Sequence, residues 1–227
     1  MSDQKVINKL KNIVGKRHII VNNLRKQPFT KGWRYGRGEA VAVVKPGTLL
    51  EIWKVLQICV DEEIIIIMQA ANTGLTGGST PYGNDYDRQV LIINTMRIKD
   101  IHVIKEGKQV VGLTGSTLYE LEKILKPYGR EPHSIIGSTS IGASIVGGVC
   151  NNSGGSLVQR GPAYTELALY AKINQKGQLE LVNELDIDLG SNPEEILNNL
   201  QNKKYNVEDI KHTNKLASDD KYSKIVR

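Results

Sequence analysis

Two stretches of this chain are rich in glycine and free of charge, and they constrain its fold more than any other feature. Residues 64–84 and residues 134–159 are runs of 21 and 26 residues without Asp, Glu, Lys or Arg. At the chain's charged fraction of 24%, each run would hold about five or six charges. Eleven of the 22 glycines fall in or beside these two windows. Glycine costs roughly 0.5–1 kcal/mol relative to alanine in an ordered segment, so the clustering favours backbone that approaches a ligand closely.

The first window contains a loop, residues 70–79, that directly follows the apolar run Ile64 to Met68. Open α/β sheets bind ligands at the carboxyl ends of their strands, and successive N–H groups can form an anion-binding concavity. Three or four hydrogen bonds to a charged group, at roughly 1.5–3 kcal/mol each, offer about 5–12 kcal/mol, enough for a micromolar ligand. The loop therefore predicts a diphosphate held by dipoles rather than by lysine. Its polar side chains are all neutral donors, namely Asn72, Thr73, Thr76 and Ser79.

The second window, residues 137–155, mixes small, apolar and hydroxyl side chains. Such a surface can lie flat against a large planar ring, with Ser144 and Asn152 available to its polar edge. The alternative is a tight packing seam of small residues with turns. No GxGxxG follows the first strand and no GxxxxGK[ST] is present, which argues against the Rossmann and P-loop folds. The interpretation depends on main-chain amides around residues 74 and 144 forming the electrostatic pocket.

Hydrophobic periodicity predicts an α+β protein of two lobes. Residues 1–98 are expected to form a small parallel α/β lobe, and residues 99–227 a second lobe with antiparallel strands and helices. The run Ile64 to Met68 suits a strand buried on both faces, because four of its five residues are β-branched. Predicted helices cover residues 3–14, 48–60 and 117–125 and begin again at 192; predicted strands cover 40–44, 64–68 and 90–93, with hairpins at 101–113 and 167–182.

Composition excludes some classes of protein. The net charge of +6 and pI near 9.2 fit either a solvated basic surface or attraction to an anionic partner such as a lipid headgroup. Zinc-finger spacing is absent, a single Phe makes a base-stacking platform improbable, and we predict neither a metal site nor nucleic-acid binding. No apolar run of about 18 residues is present, so any membrane attachment is expected to be peripheral. Cys59 falls on the apolar face of a predicted helix and is expected in the core.

Long segments of the sequence resemble a known family. The loop AANTGLTGGSTPYGNDYDR (70–88) and the run GREPHSIIGSTSIGASIVGGVCNNSGGSLVQRGPAYTE (129–166) resemble the FAD domain of respiratory, quinone-dependent D-lactate dehydrogenases. These belong to the vanillyl-alcohol-oxidase-like flavoproteins, whose FAD domain is of the PCMH type. The resemblance extends from residue 32 to residue 197 and implies a PCMH-type FAD-binding domain of two lobes.

The resemblance also implies which residues bind FAD. Some relatives attach the flavin through a His in the first loop; none is present here, so FAD is expected to be non-covalent. His133 is expected to have a structural hydrogen-bonding role, with proton transfer as the alternative. Expected contacts with the diphosphate are Ala70, Ala71, Asn72, Thr73, Gly74, Gly78 and Ser79, and expected contacts with the flavin are Gly137, Ser144 and Gly154.

The activity implied is oxidation of D-lactate to pyruvate, with electrons passed to membrane quinone. The expected location is peripheral, on the cytoplasmic side of the inner membrane, where an anionic membrane surface is a further candidate partner. Family members continue past residue 227 into a substrate-capping domain, so this chain is expected to be truncated and no catalytic residue is assigned. Two alternatives stay open: another 2-hydroxy-acid dehydrogenase or UDP-N-acetylmuramate dehydrogenase of the same fold, and a non-catalytic fragment.

Overall fold

The computed structural model describes residues 3–132, 136–153, 165 and 167–210. The chain divides into two compact units. One comprises residues 1–98 with 173–180, and the other comprises residues 99–172 with 181–227.

The first unit is built on a mixed four-stranded sheet. Its order is β1-β2-β4-β3, with β2, β4 and β3 parallel and β1 antiparallel at the edge. The predicted parallel strands are confirmed, whereas β1 and α2 were not predicted. The helices are α1 (Asp3–Val14), α2 (Asn23–Thr30) and α3 (Leu49–Asp61), and the strands are β1 (Ile19–Ile20), β2 (Ala42–Val44), β3 (Ile65–Gln69) and β4 (Val90–Asn94).

Apolar side chains cover both faces of this sheet. Helices α1 and α3 bury Leu10, Val55 and Cys59 in one cluster with alternate residues of β2 and β4. The remaining residues of those strands pack with Phe29 of α2 in a second cluster. The predicted core position of Cys59 is confirmed, and burial raises the pKa of its thiol to about 12. Burial at this depth keeps the thiol protonated and unreactive.

One strand prediction was wrong in its burial. The run Ile64 to Met68 was expected to be buried on both faces, but β3 is an edge strand of the described sheet and Met68 is 44% exposed. The central strand is β4, whose five residues are all buried. Both runs are β-branched and apolar, and this composition does not distinguish a central strand from an edge strand.

The second unit, taken together with the β-hairpin of residues 169–183, combines antiparallel strands with helices. The predicted helix at residues 117–125 forms as α4 (Leu118–Leu125) and begins with a complete capping box, because Thr117 and Glu120 each accept a hydrogen bond from the other's main-chain N–H. The fold class α+β is confirmed. The elements are β5 (Ile101–Ile104), β6 (Gln109–Gly112), α4 (Leu118–Leu125), α5 (Ile145–Cys150), β7 (Leu169–Ile173), β8 (Leu179–Asn183) and α6 (Pro193–Gln201), with β5 paired to β6 and β7 to β8.

Across the described ranges, no helix has both the length and the apolar composition needed to span a bilayer. The same residues contain no cluster of His, Cys, Asp or Glu that could hold a metal ion.

A buried histidine ties β5 to the segment after α6. His102 is 4% exposed, and its Nδ1 lies 2.5 Å from the hydroxyl of Tyr205. Its Nε2 lies 3.7 Å from a carboxylate oxygen of Asp100, which also contacts Lys203 at 3.2 Å. Burial lowers the pKa of His102; Lys203 lowers it further and Asp100 opposes the shift. Burial and then Asp100 raise the pKa of Tyr205 to about 12.

This histidine predicts a loss of stability in mild acid. Unfolded His102 takes up a proton near its ordinary pKa of 6.5, whereas the folded protein does so only at lower pH. The unfolded state therefore binds more protons below about pH 6.5, and the free energy of unfolding falls as the pH decreases. His102→Gln removes this titration, so urea unfolding between pH 7 and pH 5 should give a shallower slope, by up to about 1.4 kcal/mol per pH unit. Equal slopes for the two proteins would contradict this assignment.

Candidate functional site

The first glycine-rich loop, residues 70–79, is anchored at its two ends by the side chains of Gln69 and Asn94. Its Nε2 donates to the carbonyls of Phe29 at 2.8 Å and Ser79 at 2.7 Å. Its Oε1 accepts from Nδ2 of Asn94 at 3.2 Å, and the same Nδ2 donates to the carbonyl of Ala70 at 2.9 Å. Because Gln69 and Asn94 end the parallel strands β3 and β4, this network fixes the loop at the carboxyl edge of the sheet.

Asn72 shapes the interior of the loop. Its backbone takes a φ of 56°, a left-handed conformation that Asn tolerates better than most residues. Its Nδ2 donates to the carbonyls of Lys31 at 2.8 Å and Pro28 at 3.3 Å, and its Oδ1 accepts from the hydroxyl of Ser79 at 2.8 Å. The side chains of Asn72 and Ser79, predicted as donors to a ligand, are thus engaged within the protein. For the predicted contacts of these two residues with the diphosphate, the main-chain N–H groups are the donors that remain.

The main-chain amides of this loop have no acceptor among the residues that the structure describes. Within the described residues, no hydrogen bond is donated by the backbone N–H of any residue from 71 to 79. None of residues 71–79 is fully buried, so their N–H groups are open to water or to a ligand that carries acceptor atoms. Residues 64–84 carry no charged side chain, so the polar groups of this segment are main-chain dipoles and neutral side chains. The arrangement fits a diphosphate, which supplies several acceptor oxygens and negative charge.

Packing accounts for one glycine of the loop and leaves another unexplained. Gly77 has a φ of 80°, and a Cβ there would lie 3.0 Å from Cδ1 of Tyr35. Gly78 has no positive φ, and a Cβ there would meet no protein atom within 4 Å. At Gly74 the nearest atom to such a Cβ would be the Ser79 hydroxyl at 3.8 Å, an ordinary contact. The open space beside Gly78 is therefore available to a ligand that approaches the backbone.

The second window has a different construction. Gly137 lies in a turn before a short 3₁₀-helix, and Ser144 is the N-cap of α5. The Ser144 hydroxyl is buried and accepts from the N–H of Gly147 at 3.0 Å. A Cβ on Gly147 would lie 2.7 Å from that oxygen, so packing against the Ser144 hydroxyl explains the glycine at this position. The capping role of Ser144 was not predicted from the sequence, and its contact with flavin stays a prediction.

Most amides of the second window are satisfied internally, in contrast to the first loop. Gly137 would meet nothing within 4 Å if it carried a Cβ, and Thr139 has a buried hydroxyl without a partner among the described residues. Asn152 is exposed, with a φ of 49°. Gly154 and His133 lie outside the described residues, so their predicted roles are not addressed. Backbone N–H groups with a protein acceptor are those of residues 139, 141, 142, 143, 145, 147, 148, 151, 152 and 153.

The anchoring network was missed by the sequence analysis, although the sequence carries a signal for it. Gln69 and Asn94 each follow an apolar run directly, and both are buried. A buried primary amide needs partners for both its oxygen and its NH₂ group. An amide residue at the end of two successive buried strands therefore indicates a hydrogen-bonded tie between the loops that follow.

Sequence comparison gives a family and a set of named relatives. A family model described as "FAD binding domain" matches residues 40–177. The quinone-dependent D-lactate dehydrogenase of Haemophilus influenzae is 59% identical over 227 residues, all of this chain and 40% of that protein. The chain thus spans about two fifths of the length of this curated relative.

Solved structures share the fold at low sequence identity. Alkyldihydroxyacetonephosphate synthase superposes with a TM-score of 0.63 and 16% identity, over 87% of this chain and 37% of that one. p-Cresol methylhydroxylase superposes with a TM-score of 0.55 and 15% identity, over 78% of this chain and 35% of that one. The predicted fold, an FAD-binding domain of the PCMH type, is confirmed.

Proposed function

This chain belongs to the family of FAD binding domains, and from that premise we propose that it is the FAD-holding part of an enzyme that oxidises D-lactate to pyruvate and reduces a membrane quinone. The observation that carries the activity is the match along the whole chain, at 59% identity, to a protein named quinone-dependent D-lactate dehydrogenase. The electron acceptor and substrate are taken from that name. The chain spans 40% of that relative, so substrate-binding groups are assigned to none of the residues described here.

The first loop is the proposed diphosphate site. Main-chain N–H groups of residues 71–79 would donate to the phosphate oxygens, and Gly78 would allow the close approach. Gln69 and Asn94 hold the loop ends, so these donors are positioned before the ligand arrives. FAD, when bound, supplies the two-electron redox chemistry, and the protein binds and orients it. The proposed diphosphate contacts are Ala70, Ala71, Asn72, Thr73, Gly74, Gly78 and Ser79.

The second window is the proposed contact for the flavin ring. Gly137 offers backbone without a side chain, and the cap at Ser144 fixes the surface around it. Gly154 is retained as a third contact. On this proposal residues 1–98 form the first lobe of the FAD domain and residues 99–227 its second lobe.

FAD is proposed to be dissociable, since residues 70–79 contain no His to attach it. The purified chain should show the visible absorption bands of flavin, or acquire them when FAD is added. Precipitation with acid should leave all of the flavin in the supernatant. A folded, colourless preparation that does not bind added FAD would contradict the cofactor site, and flavin in the pellet would contradict non-covalent binding.

The substrate is tested in a protein of full length. A chimera in which this chain replaces the matching 40% of the Haemophilus influenzae relative should reduce a soluble quinone analogue with D-lactate but not with L-lactate. Oxidation of NADPH in place of D-lactate would overturn the substrate assignment while leaving the FAD site in place. We propose a peripheral location on the cytoplasmic side of the inner membrane for the complete enzyme, in keeping with a quinone acceptor.

A further inference from the structure

A small loop, residues 31–37, closes on itself beside the first glycine-rich loop. The N–H of Gly32 donates to the carbonyl of Gly36 at 2.8 Å. Gly36 has a φ of 90°, and a Cβ there would lie 2.3 Å from Oγ1 of Thr80 and 3.1 Å from Cα of Gly77. The backbones of the two loops therefore touch, and residues 31–37 lie directly beside the proposed diphosphate site.

Three aromatic side chains are exposed at this place. Trp33 is 64% exposed and Tyr82 is 65% exposed. Tyr35 is also exposed and stacks on Tyr82, with ring centroids 6.0 Å apart and ring planes inclined by 20°. Single exposed aromatic residues are ordinary, but three of them grouped together mark a surface that binds a partner.

The aromatic side chains line one recess of about 540 Å³, a volume typical of sites for small molecules. Gly83 holds its two sides together, because its N–H donates to the carbonyl of Arg37 at 2.9 Å and its carbonyl accepts from the N–H of Glu39 at 2.9 Å. The recess is therefore formed before a ligand binds. We call it the aromatic recess, and its lining is residues 31–37 with Tyr82 and Gly83.

Hydrogen-bond donors with positive charge complete the aromatic recess. Lys31, Arg34 and Arg37 line it, and none of the three lies within 4.0 Å of a carboxylate of the described residues. The lining contains no Asp or Glu. Lysine and arginine side chains donate hydrogen bonds and accept none. The recess thus suits a flat ring that carries acceptor oxygens.

This chemistry favours one of the two flat rings that the proposed function brings to the protein. The adenine of FAD could use the aromatic faces, but it is neutral and would leave three cations without a partner. A quinone has a flat ring with carbonyl oxygens that accept hydrogen bonds. It also takes up the two electrons and two protons that oxidation of D-lactate to pyruvate releases, and neighbouring cations favour the arrival of those electrons.

We propose that the aromatic recess binds the headgroup of the quinone, with its ring against Trp33 and Tyr82 and a carbonyl oxygen accepting a hydrogen bond from Arg34. The proposal rests on the proposed function, from which the electron acceptor is taken. It assigns the binding of that acceptor to the FAD-holding part of the enzyme.

Binding is tested on the FAD-loaded chain with ubiquinone-1, a short-chain quinone, by NMR of the indole N–H groups. The chain has two tryptophans, and they give an internal comparison. The Trp33 resonance should shift as quinone is added, whereas the resonance of Trp53, which is buried in α3, should stay in place. If the Trp33 resonance does not move, or if both resonances move equally, the proposal is overturned.

Kinetics of the chimera described above test the aromatic contacts. W33S/Y82S leaves net charge unchanged and should fold normally, because both side chains are exposed. It should raise the KM for ubiquinone-1 at least tenfold through lost ring contacts. With ferricyanide, an acceptor that has no ring, the rate of D-lactate oxidation should stay within about twofold. The matched control Y119S/Y128S removes two exposed tyrosines of the second unit and should leave the KM unchanged.

The polar contact is tested with R34Q, which should raise the KM for ubiquinone-1 about tenfold because a charged donor is lost. R25Q removes an exposed arginine of α2 that does not line the recess, and it should change the KM by no more than about twofold. Equal effects of R34Q and R25Q would overturn the proposal.

Two further outcomes separate the aromatic recess from the rest of the enzyme. Weaker FAD binding by W33S/Y82S, or a rate with ferricyanide that falls as far as the rate with quinone, would assign the recess to the cofactor and overturn the proposal. A parent chimera that does not reduce ferricyanide with D-lactate would instead contradict the proposed function, and the indole resonances would still test the recess.

Discussion

Gly78→Ala is expected to weaken FAD binding at least tenfold without changing the stability of the FAD-free protein by more than about 0.5 kcal/mol. The added Cβ meets no protein atom within 4 Å, and φ at this position is not positive. Packing and backbone strain therefore give no reason for glycine here. A diphosphate bound to the adjacent amides does, because a methyl group would occupy the space it approaches. Titration of the apoprotein with FAD, followed by flavin fluorescence, measures the affinity, and urea unfolding measures the stability.

Gly177→Ala is the matched control, with the opposite pattern expected. Gly177 also has open space around it, but its φ is 75° in the turn between β7 and β8. Alanine in that conformation costs about 1–2 kcal/mol, so stability should fall while FAD affinity stays the same. If Gly78→Ala binds FAD as tightly as the parent protein, the space beside Gly78 is not the diphosphate site.

The second large effect is expected from Gln69→Leu. This substitution removes the donor to the carbonyls of Phe29 and Ser79 and the acceptor for Asn94. Each buried polar group left without a partner costs about 1–3 kcal/mol, and with partial relaxation we expect a total loss of about 2–4 kcal/mol. FAD affinity should fall as well, since the Ser79 end of the loop loses its anchor and Asn94, which holds the Ala70 end, loses one of its partners. Urea unfolding with and without FAD measures both losses.

Gln57→Leu is its control, because Gln57 is an exposed residue of α3. It should change the free energy of unfolding by no more than about 0.5 kcal/mol. A similarly small effect for Gln69→Leu would show that the network does not hold the loop.

The fold could be predicted largely from local signals. Helix α3 begins after Thr48, whose side chain accepts from the N–H of Glu51, and α4 begins with a complete capping box. The apolar runs at residues 64–68 and 90–93 predicted the parallel strands β3 and β4. Helix α2 was missed because Pro28 and a mostly polar sequence weaken its helical pattern. The edge position of β3 was missed because strand order depends on contacts between segments distant in sequence.

The candidate site could be predicted in its location but not in the roles of its side chains. The absence of charged residues and the clustering of glycine predicted a ligand-binding loop at residues 70–79. Sequence alone could not show that the Asn72 side chain donates to the carbonyls of Pro28 and Lys31, which lie more than 40 residues earlier in the chain, and accepts from the Ser79 hydroxyl. Likewise Ser144 has the general profile of an exposed donor, and only the formation of α5 makes it a buried cap. The same chain folding leaves the amides of residues 71–79 without an acceptor within the described part of the chain.

The most direct test of this account is an amide NMR titration of the apoprotein with ADP, which carries the diphosphate, and with riboflavin, which lacks it. ADP should shift the backbone amide resonances of residues 71–79, and riboflavin should leave them in place. If ADP binds while those resonances do not move, main-chain donors of this loop do not hold the diphosphate.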